Sequence, residues 1–153
     1  MNLKKYFMTS FLSHRDVTIN LAGKIAKAHY GYKPTPSSTT AEELVQHFVS
    51  SFYRLALVVK KGDPSYFQHP VDFNTEDLES FAVTYTEKTK QIISSLTEDD
   101  FERTIDLKNV FGRQFTGKSL LQFALEHEIH HKGQVFVYVR GMGFTDLPLF
   151  MKL

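Results

Sequence analysis

Glu126-His127-Glu128-Ile129-His130-His131-Lys132-Gly133-Gln134 is the stretch on which the reading of this chain turns. It lies inside a longer run, Ser119 to Arg140, in which Leu120, Ala124, His127, His131, Val135 and Tyr138 recur three or four residues apart. That is the period of a helix hiding one face. Ser119 and Gln122 have capping-box spacing at its start, and Gly141 and Gly143 supply a stop. His131 follows His127 at the fourth position, which puts both imidazoles on one face, one turn apart. Two such rings can reach a single ion at about 2.0–2.1 Å.

Outward from this segment the same period recurs three times. Phe7, Phe11, His14, Thr18, Leu21, Ile25 and Ala28 form the stripe of a first helix, ending near Gly31 before the turn-forming run Lys33 to Ser38. A second helix opens at Thr39 or Thr40, each with a glutamate three residues on. It carries Leu44, His47 or Phe48, Ser51, Leu55 and Val58 inward, and Gly62-Asp63-Pro64 stops it. Asn74 is the expected cap of a third helix, with Leu78, Phe81, Tyr85, Thr89, Ile92 and Leu96 along its buried face. Between Phe101 and Thr116 the period shortens: Thr104 to Leu107 alternates and can pair with Val110 to Phe115 as a short hairpin. The expected architecture is all-α: one domain over residues 1–153, a four-helix bundle with a short β-hairpin before the last helix.

Composition narrows the function. Apolar residues make up 42% of the chain and include 14 Phe and 7 Tyr, enough bulk for one core. With 18 basic against 17 acidic residues and no clustered charge, no surface for the phosphate backbone of a nucleic acid stands out. The absence of cysteine removes disulfides, thiolate ligands and a protein thiol nucleophile. The apolar run after Lys4-Lys5 is broken by Thr9, Ser10 and Ser13, and Leu55 to Val59 is too short to span a bilayer. A cytoplasmic protein without membrane contact is expected.

A third ligand for the His127–His131 pair has to come from another helix. His47 is the first choice and His14 competes with it. His130 lies about 100° round the helix from His131, a position for a supporting or surface group. Gln134, three residues beyond His131, can reach a ligand imidazole. Three neutral nitrogens leave a fourth coordination position open, the mark of a catalytic or labile site. His127-Glu128-Ile129-His130-His131 also satisfies the zincin pattern H-E-x-x-H. Against a protease stand the absence of any histidine after His131 and of a glycine three residues beyond it. Glu128 is therefore expected to orient a ligand histidine or to pair with Lys132.

These residues resemble the DinB family of helical-bundle metalloproteins. The resemblance rests on Glu126 to Gln134 with Tyr138-Val139-Arg140 and Gly143, on Tyr32-Lys33-Pro34 followed by Glu43 to His47, and on Ser13 to Thr18. It implies an up-down-down-up bundle, a divalent metal (zinc or nickel foremost) on His47, His127 and His131, and a homodimer. It further implies transfer of an external low-molecular-weight thiol to an electrophile. Other readings stay open beside it: a non-catalytic metal-binding stress-response module, for which the apolar tail Leu147 to Met151 speaks, and a metal-dependent hydrolase.

Overall fold

The structure, a computed structural model, describes residues 1–153. Helix α1 spans Leu3–Lys24, with the Asn2 side chain accepting the Lys5 N–H. It stops short of Gly31 because Ile25 turns extended and buries its side chain, and a single 3-10 turn, Lys27–His29, carries the chain on. Helix α2 spans Ala41–Lys61. Of the two possible caps Thr40 is used, exchanging hydrogen bonds with Glu43 in both directions, and Gly62 ends the helix at φ 65°, where a side chain would be strained.

Helix α3 spans Leu78–Ser95 and is capped by Asp77, not by Asn74. Asn74 is occupied three residues earlier, its N–H donating to Asp72 in a tight turn. A five-residue helix α4, Glu98–Glu102, follows under its own Thr97–Asp100 box, an element the sequence reading lacks. The hairpin is present: β1, Thr104–Leu107, pairs antiparallel with β2, Arg113–Thr116, with Ile105 opposite Phe115. Val110 and Phe111 belong instead to a one-turn helix α5, Lys108–Phe111, between the strands.

Helix α6 spans Gly117–Gly141 and begins two residues before the expected start. Thr116 is the cap, and the Ser119 hydroxyl turns back to accept the Thr116 N–H. Gly117 is required there, since a Cβ would lie 2.0 Å from the Asp100 carbonyl oxygen.

Contacts between the long helices give the direction of each. Thr86 meets Arg15 while Glu79 meets Gly23, so α1 and α3 are antiparallel. The α2–α6 pair is antiparallel too, with Thr39 against Tyr138 and His47 against His127. Helices α2 and α3 run the same way, because Tyr53 meets Tyr85 edge to face and Lys60 donates to the Ser95 carbonyl. The same holds for α1 and α6, where His14 and Arg15 meet Lys132 and Glu128 while Leu3 and Tyr6 lie near Ser119 and Gln122. The bundle is up-down-down-up, as the resemblance implied.

Two apolar clusters fill the interior. One holds Phe7, Phe11, Phe52, Leu55 and Leu121 with the hairpin's Ile105 and Phe115. The other holds Leu21, Phe48, Phe81, Tyr85 and Val139. Between them along α6 stand Glu128 and Lys132, both fully buried and charged. They occupy the helix's deepest positions, so His127 and His131 flank the buried face instead of forming its centre. Glu128 is held on two sides by Arg15 and accepts from the Thr18 hydroxyl. Lys132 donates to Nδ1 of His14 and to the Phe150 carbonyl of the tail, which folds back along α1. No buried side-chain polar atom lacks a partner, which is how a charged layer can persist inside a helical core.

Candidate metal centre

One residue on a helix is a rotation of about 100°, and that step sets the roles of His47 and Phe48. Phe48 goes into the core, while His47 stays exposed at the α2–α6 seam and faces the α6 pair. Nε2 of His127 lies 3.2 Å from Nε2 of His47 and 3.0 Å from Nε2 of His131. One ligand atom from each of the three residues falls within 4.8 Å of the other two.

This arrangement fits a cation better than it fits a proton. His131 presents Nδ1 to Oε1 of Gln134 at 2.8 Å; the oxygen accepts, so the ring hydrogen sits on Nδ1 and Nε2 is left as a bare lone pair. Nε2 of His127 carries either one hydrogen or one in-plane lone pair, so it can make a well-aligned hydrogen bond to only one of its two close neighbours. A shared cation satisfies all three nitrogens. Four ligands about 2.05 Å from a tetrahedral ion stand about 3.3 Å apart, close to the spacings found here. The cluster can hold a metal ion.

The remaining sequence candidates separate. Gln134 lies within hydrogen-bond distance of His131. His14 does not reach the cluster: its ring is turned to the buried side of α6, against Lys132. His130 is exposed, its ring edge-on to that of His131. Glu128 makes no hydrogen bond to any of the three histidines and none to Lys132. Its carboxylate faces away and is taken by Arg15 and Thr18. That geometry deprives the H-E-x-x-H pattern of the glutamate it needs as general base.

Sequence reasoning missed Arg15 as a buried partner. The signal was there, since Phe11, Arg15 and Thr18 follow one another at spacings of four and three. It also missed the wall made by Ser37, Ser38 and Thr39, which read only as a turn and a candidate helix cap. These residues and His47, His131, Gln134 and Tyr138 line a cavity of about 560 Å³ that opens on the histidines.

All three imidazoles are held below their ordinary value. Burial lowers His127 most, to about 4, and the neighbouring His131, His47 and His130 add to it. Burial and then His131 lower His47. Burial also lowers His131, with His130, against the opposing pull of Gln134 and Glu128. Folded values below the unfolded 6.5 mean that the folded chain binds fewer protons than the unfolded one. The metal-free chain therefore loses stability as pH falls below about 6.5 toward the folded values. For metal the consequence is favourable, because ligands already neutral need not shed protons. Three imidazoles at the ordinary value would lose about 10⁴-fold in affinity between pH 7.5 and 5. With His127 already at about 4, the loss measured by competition with a chelator is expected to be at least tenfold smaller than that. A full 10⁴-fold loss would contradict the lowered values.

An up-down-down-up bundle whose histidine cluster draws one ring from the second long helix and two from the last defines a class, and the chain falls inside it. It belongs to the DinB family, whose model matches residues 1–151. The chain is 53% identical to the Bacillus subtilis (strain 168) protein YjoA over 145 residues, 95% of this chain and 94% of YjoA. The crystal structure of YjoA, a DinB-like protein, superposes with a TM-score of 0.89 at 50% identity, covering 97% of this chain and 99% of that one. A DinB-like protein from Bacillus cereus, 20% identical, shares the fold with a TM-score of 0.69 over 94% of this chain and 95% of its own. No helix is long and apolar enough to cross a membrane.

Proposed function

We propose that the chain is a metal-dependent S-transferase that joins a low-molecular-weight thiol to a small electrophile, with His47, His127 and His131 as the metal ligands. The observation that carries this reading is the convergence of three imidazole nitrogens from two helices beside an open cavity. When bound, a divalent ion such as zinc or nickel supplies a Lewis acid with a free position, which lowers the pKa of an arriving thiol. The protein's own part is positional. Gln134 fixes the His131 ring through Nδ1, and burial keeps the three imidazoles neutral. In the reaction the thiol gives up its proton to solvent, its sulfur forms a bond to the electrophilic carbon, and the leaving group departs with the bonding pair.

The test is a rate. Metal-loaded protein is incubated with a panel of bacterial thiols and a chromogenic electrophile, and compared with His131→Ala. Transfer that needs both metal and thiol, and that is lost in the variant, is expected. Equal rates in the two proteins would end the proposal, and turnover without added thiol would mark a hydrolase instead.

A further inference from the structure

The cavity beside the histidines has a wall of unusual uniformity. Of its ten lining residues none is Lys, Arg, Asp or Glu, although charged residues are 23% of the chain. Of the charged groups next to lining residues, Lys132 is turned into the core and Lys33, beside Pro34, is exposed and not part of the lining. Glu43, one turn before His47, is folded back on the Thr40 cap, and Arg140 lies over the Phe136 ring. What the wall offers instead is neutral hydrogen bonding. Ser37 and Ser38 present hydroxyls near Thr35. Gln134 spends its oxygen on His131 and keeps its amide N–H groups free of partners within the chain. Leu44, Pro34 and Val137 supply apolar surface between these groups.

We infer that this cavity receives the body of the thiol and selects one that is uncharged and bears hydroxyl or carbonyl groups; the inference rests on the S-transferase reading above. A carboxylate held against such a wall, away from the metal, gives up water and meets no cationic side chain, a desolvation cost of the kind that decides selectivity. A hydroxyl or amide finds a donor or acceptor in Ser37, Ser38 or Gln134. A volume of about 560 Å³ is within the usual range of small-molecule sites, so the body can be enclosed and not merely touched.

Binding to zinc-loaded full-length protein, measured by isothermal titration, tests this with two probes: 1-thioglycerol, uncharged beyond its sulfur, and mercaptosuccinate, with two carboxylates. The wild-type chain is expected to favour 1-thioglycerol by tenfold or more. Val137→Lys places a cation in the wall at an exposed position outside the ligand set, and should cut that preference at least fivefold with zinc content unchanged. Ser37→Lys, on the opposite wall, makes the same test on a different element should the first variant fold poorly. No wild-type preference, or a preference unmoved by either lysine in zinc-replete protein, overturns the inference and leaves the metal reading standing. A wild-type chain that retains no zinc overturns the metal reading itself.

Discussion

Arg15→Met will destabilise the metal-free chain by about 3–5 kcal/mol, read as the shift in urea midpoint at unchanged slope. Arg15 is completely buried. Its Nε donates to Oε2 of Glu128 at 2.7 Å and one Nη donates to Oε1 at 2.6 Å, a two-point grip on one carboxylate. The other Nη donates to the Thr86 hydroxyl on α3, and the guanidinium lies 4.7 Å over the Phe11 ring. Removing it strands a carboxylate inside the bundle with only the Thr18 hydroxyl as direct partner. The cost comes from the charge left behind, not from the worth of the pair, so the double variant Arg15→Met, Glu128→Leu should recover much of the loss. For a chain of this length a loss of that size is a fall of about 6–20 °C in Tm. A change below about 1 kcal/mol would mean that the layer between the two clusters is not closed as described.

The second large effect falls on the metal. His127→Ala should leave the protein folded and lower its affinity for zinc or nickel by about a hundredfold or more, since loss of a mere supporting partner already costs 10–100-fold. His127 is the hinge of the cluster, the residue whose Nε2 approaches both other rings. His14→Ala and His130→Ala serve as controls of the same chemistry in the wrong place. One ring is locked against Lys132 and the other is at the surface, so metal content per chain should not change in either. A His130→Ala protein that loses its metal as His127→Ala does would show that the rings rearrange around the ion.

The sequence carried the fold in its periods. Four stripes at helical spacing gave the four long helices, and the alternation at Thr104 to Leu107 gave the hairpin. What it could not carry were choices settled by competition among polar groups. Asn74 and Asp77 are both plausible caps, and only the turn at Asp72 shows why the second is used. Ser119 looks like a cap until Thr116 is seen to take it as a partner. The His127–His131 pair was legible because residues four apart share a helix face whatever the tertiary structure, while His47 stood beside His14 as a choice that the resemblance favoured. The role of Glu128 was not. A glutamate next to a ligand histidine reads as its support, and only the packing of α1 against α6 brings Arg15 to the other side and turns the carboxylate inward. The cavity wall was hidden for the opposite reason: Ser37, Ser38 and Thr39 gain meaning only from where the turn before α2 lies against α6.

Anomalous scattering from crystals of the untagged protein loaded with zinc, recorded on both sides of the zinc edge, asks the central question directly. A single strong peak about 2.0–2.1 Å from Nε2 of His47, His127 and His131 is the expected result. A map with no peak between α2 and α6, or with its peak on other side chains, would contradict it.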